Sequence, residues 1–138
     1  MNLLKFIKEN EGLSLKMYKC PADKWTIGYG HNIEDLGITQ EAANFIFEGD
    51  IDAARKDALS IFPSLLVFPQ EKQIAIIDMI FNMGKPTFLK FEKMIAAIKI
   101  RDWREAGKQA KDSKWFKQVG NRGPRVVALL SNLNTSEF

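Results

Sequence analysis

Three side chains in the first thirty residues are of types that carry out acid–base chemistry: Glu11, Cys20 and Thr26. A carboxyl group can donate a proton, a thiolate can deprotonate or replace a water molecule, and a hydroxyl can hold that water by hydrogen bonds. Each also has an ordinary explanation: a surface glutamate, a small half-buried cysteine, and a threonine that suits a strand. Chemistry follows only if the fold brings the three together.

The elements around these residues provide a way to do so. Residues 2–11 alternate apolar and charged positions at helical spacing, and Gly12 ends the pattern, which predicts an amphipathic helix with Glu11 in its last turn. The negative end of the helix dipole disfavours an ionised carboxylate there, which suits a proton donor. Period-two apolar positions on both sides of residues 20–23 predict a short β-hairpin or small sheet that carries the cysteine and the threonine. A hairpin folded over the helix end would direct all three side chains into one gap.

The segment from Thr26 to His31 has the sequence Thr-Ile-Gly-Tyr-Gly-His. Two glycines alternating with β-forming residues imply a close approach of backbone or ligand. The segment is a poor match to a dinucleotide-binding fingerprint, since it lacks the third glycine and a following helix. His31 needs a partner if it is buried, and an acid on the next helix could supply one. We interpret it as a structural histidine.

Helical patterns dominate the remaining sequence. We predict a loop over residues 32–37 and then one helix from an N-cap at Thr39 to about Ser60, roughly 30 Å long. Residues 74–81 are apolar nearly all round, as in a helix at the centre of a helical lobe, and residues 83–86 end it. Shorter amphipathic helices are predicted near residues 88–100, 102–111 and 125–133.

These elements predict an α+β fold that is mainly α, with a single domain over residues 1–138. A small α/β lobe over residues 13–50 would hold the antiparallel sheet, and residues 1–12 and 51–138 would form a helical lobe. The long helix would join the two lobes, with the first helix packed on the helical lobe. A cleft between two lobes is where ligands usually bind.

Composition bounds the class of protein. The 138 residues are 46% hydrophobic and 27% charged, which fits one globular domain and excludes disorder. No apolar run approaches the roughly 20 residues of a membrane span, and the first residues lack the features of a signal peptide. One cysteine excludes an intramolecular disulfide, and one histidine excludes a His-rich zinc site.

Charge is distributed unevenly along the chain. Residues 1–50 sum to −3 and residues 51–138 to +6, and residues 85–125 hold twelve Lys or Arg against four Asp or Glu. Such a basic flank suits a polyanion, which includes nucleic acid, an acidic cell wall and a lipid surface, but the charge by itself favours a solvated helical surface. Binding of nucleic acid by these helices is therefore supported by the charge alone, because no recognition motif is present.

Several of these motifs together resemble the phage lysozyme (endolysin) family, glycoside hydrolase family 24, and in particular its T-even phage branch. The family's catalytic pattern is Glu, eight residues, Asp or Cys, five residues, and Thr, and Glu11, Cys20 and Thr26 meet that spacing. The resemblance continues through residues 38–54, 77–84 and 103–127, so it covers nearly the whole chain. It implies a lysozyme-like two-lobed fold.

By this resemblance, the chain hydrolyses the β-1,4 bond between N-acetylmuramic acid and N-acetylglucosamine of bacterial peptidoglycan and causes lysis of the host cell. Glu11 would protonate the leaving oxygen, while Cys20 and Thr26 would flank a water molecule that attacks the opposite face of the sugar. The residues that would line the saccharide cleft are Phe81, Asn82, Trp115, Asn121 and Arg122.

The resemblance has further implications. An ion pair between His31 and Asp50 would hold the sheet to the long helix, and Arg122 would lie near Glu11. No metal, organic cofactor, nucleic-acid partner or stable membrane insertion is implied, and a monomer is expected. The protein would accumulate in the host bacterial cytoplasm and reach the wall through a holin-type membrane lesion. Asp78, an acid on the most apolar helix, is expected to pair with one of three residues: Asn10, Arg122 or Arg125.

Two departures from the family bear on activity. Cys20 stands where the better-known members carry Asp, and a thiol with a pKa of roughly 8.5 is only slightly ionised at pH 7. Activity is therefore expected to rise toward mildly alkaline pH. Residues 32–37 form a shorter segment than in the T-even members, which affects substrate preference. The alternative function is a catalytically weak peptidoglycan-binding protein that keeps the fold and the cleft without turnover.

Overall fold

The computed structural model describes residues 2–131. Helices predominate, and three short strands form one antiparallel sheet, which confirms the mainly α, α+β class. The elements are α1 (Leu3–Glu11), β1 (Ser14–Lys19), β2 (Trp25–Gly28), β3 (His31–Asn32), α2 (Ile33–Leu36), α3 (Gln40–Ile61), a 3-10 turn (Leu65–Val67), α4 (Gln70–Met83), α5 (Lys85–Phe88), α6 (Glu92–Lys99), α7 (Trp103–Lys111), α8 (Lys114–Gln118) and α9 (Arg122–Ser131).

The chain divides into two compact units, Met1–Ile46 and Phe47–Phe138, and the boundary falls within α3. The lobe boundaries expected from the sequence, and the packing of the first helix on the helical lobe, stay predictions. Within the described residues, no helix combines the length and the apolar character needed to cross a membrane.

The first unit begins with the predicted amphipathic helix. The side chain of Asn2 caps α1 by accepting the backbone N–H of Lys5 at 3.2 Å. At the other end, Gly12 takes a positive φ of 70° and donates its N–H to the carbonyl of Lys8 at 2.8 Å. A glycine in this conformation ends a helix without the steric cost that a side chain would add. Glu11 is therefore the last helical residue, as the sequence predicts.

The predicted hairpin follows. The sheet has the order β1-β2-β3, with Lys19 opposite Trp25 in the first pair of strands and Ile27 opposite His31 in the second. The turn between β1 and β2 is closed by two backbone hydrogen bonds, from Cys20 to Lys24 at 3.0 Å and from Asp23 to Cys20 at 2.8 Å. Cys20 and Thr26 thus flank one tight turn.

The prediction of a loop over residues 32–37 is wrong. Asn32 belongs to β3, and its Oδ1 accepts the N–H of Asp35 at 3.0 Å, which caps the short helix α2. Glu34 and Asp35 lie in the first turn, where the helix dipole favours negative charge, and Gly37 ends the helix with a φ of 62°. A helix of one turn is too short to show a hydrophobic period in the sequence.

The long helix α3 begins where the sequence predicts. The Thr39 hydroxyl accepts the N–H of Ala42 at 3.1 Å, which is the expected N-cap, and the helix continues to Ile61. Its buried residues are Ala54, Ala58 and Ile61, all in the second unit.

The second unit contains an apolar core centred on α4, which confirms the predicted central helix. On α4, Ile76 and Met79 are completely buried, although Ile74 is about half exposed. The aromatic side chains of Phe62, Phe68, Phe88 and Trp103 pack edge-on or tilted in three neighbouring pairs, with ring centroids 5.2–6.2 Å apart. These contacts supply both apolar burial and the favoured ring geometry.

The later helices differ from the sequence expectation in three places. The helix predicted near 88–100 is the shorter α6, over Glu92–Lys99, and the one-turn helix α5 before it was not predicted. The five-residue α8 was not predicted; Ser113 caps it by accepting the N–H of Phe116 at 3.2 Å. The last helix starts at Arg122 rather than near 125, and its expected end at residue 133 lies outside the described residues. By contrast, α7 is confirmed.

Candidate active site

The carboxylate of Glu11 lies against the tip of the hairpin formed by β2 and β3. A Cβ built on Gly30 would overlap the carboxylate oxygen Oε2 and lie 2.6 Å from Glu11 Cδ, so the side chain occupies the space beside the glycine. One helical turn earlier, Lys8 Nζ lies 5.0 Å from the centroid of the Tyr29 ring. The close approach expected at the paired glycines is therefore found at Gly30. At Gly28 a built Cβ would meet nothing within 4 Å.

The thiol of Cys20 is half-buried at the end of β1 and faces backbone N–H groups of its own turn. The N–H of Lys24, hydrogen-bonded to the sulfur, is the main cause that lowers the pKa of the Cys20 thiol below its ordinary value. Partial burial opposes this effect, while the N–H of Ala22 and the hydroxyl of Thr26 add to it. A larger fraction of Cys20 is therefore thiolate near neutral pH than in an ordinary cysteine.

Thr26 is 3% exposed and is the one buried polar side chain described in the first unit. Its hydroxyl donates to the backbone carbonyl of Lys24 at 2.9 Å. Because a hydroxyl has a single proton, it can serve either this carbonyl or the Cys20 sulfur at any moment, and its lone pairs can accept from a water molecule. The peptide groups of Lys24 therefore tie Cys20 and Thr26 together.

Lys24 itself is held by α2. Its Nζ lies 3.2 Å from Asp35 Oδ1 and 3.4 Å from Glu34 Oε2, and Glu34 also accepts the N–H of Trp25 at 3.3 Å. The hydrogen bond to Asp35 is the first cause that raises the pKa of Lys24. Bonds from Asn32 and then from Lys24 lower the pKa of Asp35. Each exposed pair contributes little energy, but together they fasten α2 to the turn.

His31 forms a contact within the first unit. Its Nε2 lies 2.6 Å from the carbonyl oxygen of Gly37, so the ring joins β3 to the end of α2. This agrees with the interpretation of a structural histidine. Asp50 belongs to the second unit, and the ion pair expected between the two residues stays a prediction.

Two of the predicted saccharide-binding residues are hydrogen-bonded to each other. Trp115 is 7% exposed, and its indole N–H donates to Asn82 Oδ1 at 2.9 Å. Because an indole N–H can only donate, this bond orients the Asn82 amide with its oxygen toward the tryptophan. Both residues line a pocket of about 730 Å³.

Arg122 makes a two-pronged contact with Asp78. Its Nε donates to Oδ2 at 3.0 Å and its Nη2 to Oδ1 at 3.1 Å. This confirms that Asp78 is paired and selects Arg122 from the three expected partners. Together with Asn82, this pair lines a pocket of about 560 Å³.

The other two predicted saccharide-binding residues, Phe81 and Asn121, lie apart from the contacts described above. Phe81 is half-buried, and its ring packs edge-on against Phe47 with centroids 5.8 Å apart. Asn121 is exposed immediately before α9 and does not belong to the lining of the two pockets described above.

Two residues with evident structural tasks were missed by the sequence analysis. Lys24 contributes through backbone atoms, and the signal that could have pointed to it is the Pro-containing turn. Lys72, on α4, is 1% exposed; it donates to the carbonyl of Leu129 at 2.8 Å, and burial lowers its pKa. A lysine in an amphipathic helix carries no signal for such burial.

Over residues 2–131, no cluster of three or more His, Cys, Asp or Glu side chains is placed to bind a metal ion.

Comparison with known proteins gives matches over almost the full chain. Residues 8–133 match a family model described as Phage lysozyme. The chain is 30% identical over 154 residues to "Probable T4-type lysozyme 1" of Dictyostelium discoideum, with 90% of each chain covered. It is 36% identical over 122 residues to "Endolysin" of Acyrthosiphon pisum secondary endosymbiont phage 1, covering 86% of this chain and 80% of that protein.

A third relative is much longer. The chain is 28% identical over 166 residues to "Pre-baseplate central spike protein Gp5" of Enterobacteria phage T4. The alignment covers all of this chain but only 29% of that protein, so the chain spans less than a third of this relative's length.

Proposed function

Because this chain belongs to the phage lysozyme family, a family of glycoside hydrolases, we propose that it is an endolysin-type muramidase. Its substrate would be the β-1,4 bond between N-acetylmuramic acid and N-acetylglucosamine of bacterial peptidoglycan. The observation that carries the mechanism is the arrangement of the first unit. There, Cys20 and Thr26 share the peptide groups of Lys24, and Glu11 lies against the tip of the next hairpin.

In the proposed reaction, Glu11 is the general acid. Its carboxyl proton passes to the glycosidic oxygen as the bond to the anomeric carbon breaks and positive charge develops on the sugar. A water molecule attacks the opposite face of that carbon, and its proton passes to the thiolate of Cys20. Thr26 orients the water through its hydroxyl. Attack from the face opposite to the leaving group inverts the anomeric carbon.

The turn around Cys20 supports the use of a thiol in place of a carboxylate. A general base works best when its pKa lies near the operating pH, and the N–H groups of Lys24 and Ala22 move the thiol pKa down in that direction. The expected rise of activity with pH therefore has its midpoint below the pKa of an ordinary thiol. Without this turn, a cysteine would be a poor base at neutral pH.

Saccharide binding is proposed for the five residues of the second unit that the family resemblance indicates: Phe81, Asn82, Trp115, Asn121 and Arg122. Asn82 and Arg122 present polar groups at pocket walls. Trp115 is too buried to offer a ring face to a sugar, so its proposed part is to orient the Asn82 amide. The ion pair between His31 and Asp50 remains part of the proposal as a structural contact.

Lysis of the host cell is the last part of the proposal. The relative named Endolysin supports it. The protein would accumulate in the bacterial cytoplasm and reach peptidoglycan through a holin-type membrane lesion. It would act as a monomer without a cofactor.

The decisive experiment compares release of new reducing ends from purified peptidoglycan by the wild type and by Glu11→Gln. Loss of a general acid lowers turnover by about 10²- to 10⁴-fold, so the variant should be nearly inactive while wild type releases muramic acid reducing ends. Glu9→Gln is the matched control, because Glu9 is an exposed glutamate on the same helix, 4.0 Å from Lys5, and should keep full activity.

The opposite outcome is equally clear. If wild type releases no reducing ends but sediments with the cell wall, the chain is the catalytically weak peptidoglycan-binding protein. If Glu11→Gln retains full activity, the assignment of the proton donor is wrong.

A further inference from the structure

We propose that the tip of the β2–β3 hairpin positions the proton donor, and that Gly30 is a positioning residue because a glycine leaves room for the Glu11 carboxyl group. This inference rests on the proposed function, in which Glu11 donates the proton. It concerns how the carboxyl group is held rather than whether it reacts.

The first observation is the space that the Glu11 side chain fills. A Cβ on Gly30 would overlap Oε2 of Glu11 and lie 2.6 Å from Cδ and 3.1 Å from Cγ. Non-bonded carbon atoms pack best at about 3.5–4.0 Å, so a methyl group here would force the carboxyl group to move. The carboxyl group therefore lies directly on the backbone of the hairpin tip.

A second contact holds the same helix end to the same tip. Lys8 precedes Glu11 by three residues, which places both side chains on one side of α1. Lys8 Nζ lies 5.0 Å from the centroid of the Tyr29 ring, within the range of a cation–π contact, and Tyr29 is the neighbour of Gly30. Two successive residues of the tip thus contact two residues on one face of the helix.

The pairing of β2 with β3 fixes the backbone of the hairpin tip against which the Glu11 side chain lies. Ile27 lies opposite His31 in the β2–β3 pair, so the tip spans only the three residues between them. Gly28 and Gly30 both take positive φ values, 70° and 71°. Both positions have a backbone conformation that favours glycine, but only at Gly30 would an added Cβ meet Glu11. The requirement at Gly28 is conformational, and the requirement at Gly30 is also one of space.

Orientation matters because general acid catalysis needs the carboxyl group within hydrogen-bond reach of the leaving oxygen. A displacement of about 1 Å is enough to lower the rate by as much as 10²-fold. The expected signature of a lost position is a lower kcat with little change in KM, since substrate contacts elsewhere are untouched.

The test compares Gly30→Ala with Gly28→Ala. Both substitutions put a side chain at a φ near 70°, so both should lower the melting temperature by similar amounts. Reducing-end release should show a kcat for Gly30→Ala about tenfold or more below that of Gly28→Ala, with similar KM values. Equal kcat losses in the two variants would overturn the inference.

A double-mutant cycle separates positioning from folding. Glu11→Asp shortens the side chain by one methylene and withdraws the carboxyl group from the Gly30 backbone. Gly30→Ala should therefore lower kcat by a smaller factor in the Glu11→Asp background than in wild type. Independent, multiplicative losses would contradict direct contact between the two residues.

The lysine contact gives a variant that avoids backbone strain and serves if Gly30→Ala does not fold. Lys8→Met keeps an unbranched chain but removes the charge from the Tyr29 ring, and Lys5→Met removes an exposed lysine from the same helix. We expect a severalfold lower kcat for Lys8→Met than for Lys5→Met, and equal values would count against the inference. A wild type without activity would instead refute the proposed function.

Discussion

The two units of the chain are stabilised by different means. The second unit contains the buried apolar cluster, from Ala54 to Leu130. Among residues 2–46 of the first unit, the structure buries one residue, Thr26. Capping side chains, a closed turn, positive-φ glycines and a network of ion pairs specify the conformation there instead.

This difference determines how each unit responds to change. An apolar core depends on volume and area, so its loss is felt throughout the unit. A hydrogen-bonded framework depends on single donors and acceptors, so a small change alters a particular group. The proposed acid, base and water-orienting hydroxyl all lie in the hydrogen-bonded framework of the first unit. They are Glu11, Cys20 and Thr26. Activity and stability should therefore be separable by substitution.

Alkylation of Cys20 is the largest expected effect on activity. Iodoacetamide should block the proposed base and reduce reducing-end release at least about 100-fold, while the thermal transition changes little. The alkylation rate should rise with pH through a midpoint below that of an ordinary thiol, because the Lys24 N–H lowers the thiol pKa. Cys20→Ala should lose activity to a similar extent without the reagent and, because the chain has one cysteine, should take up no label. Full activity after complete alkylation would remove Cys20 from the mechanism.

The same shift in pKa predicts the pH dependence of stability. The native thiol has a lower pKa than the unfolded one, so ionisation favours the native state. That contribution is fully present above the unfolded-state pKa and is lost as pH falls through the native pKa. The free energy of unfolding of wild type should therefore increase relative to Cys20→Ala as pH is raised through this window. A pH-independent difference would contradict the shift.

Two leucines test the difference in stability between the units. Leu65 in the second unit is 2% exposed, whereas Leu15 on β1 is 81% exposed. Leu65→Ala should lower the free energy of unfolding by about 2–5 kcal/mol, because it creates a cavity, and Leu15→Ala by less than about 0.5 kcal/mol. Urea denaturation measures both. Similar losses of stability in the two variants would contradict the difference between the two units.

The pair of Asp78 and Arg122 holds one of the proposed saccharide-binding residues, Arg122, in the second unit. Asp78→Ala should cost about 1 kcal/mol, because the geometry is two-pronged but both side chains remain about one-third exposed. The coupling energy is obtained from a double-mutant cycle with Arg122→Ala in urea denaturation. A coupling near zero would show that the pair adds nothing to stability.

The smallest effect is expected in the turn of the first unit. Asp23 has a φ of 61°, a conformation that disfavours side chains but that Asp and Asn tolerate better than most residues. Asp23→Gly should stabilise the protein by about 0.5 kcal/mol and Asp23→Ala should destabilise it by a similar amount. Asp23→Asn keeps the tolerance and removes the charge, so its melting temperature should match wild type. A large shift for Asp23→Asn would indicate that the charge matters more than the conformation.

Much of the fold was predictable because its signals are local. Gly12 ends α1 and Thr39 caps α3, and each acts on residues within one helical turn. The helices α2 and α8 were missed because four or five residues do not complete a hydrophobic period. The family resemblance suggested by the motifs is confirmed by the match over residues 8–133.

The candidate site was predictable in its residue types but not in its contacts. The spacing of Glu11, Cys20 and Thr26 identified the reacting groups proposed, since spacing is a property of the sequence alone. For Asp78 the sequence left three partners open, and the structure selected Arg122.

By itself, the sequence determined the long amphipathic helices, the hairpin, the N-cap at Thr39 and the membership of a family, because these depend on neighbouring residues and on motif spacing. Only the tertiary structure decided that Gly30 rather than Gly28 meets the Glu11 carboxyl group, and that the peptide groups of Lys24 join Cys20 to Thr26. The physical reason is that such contacts join backbone atoms, which every residue shares, and their position depends on how separate elements pack in space.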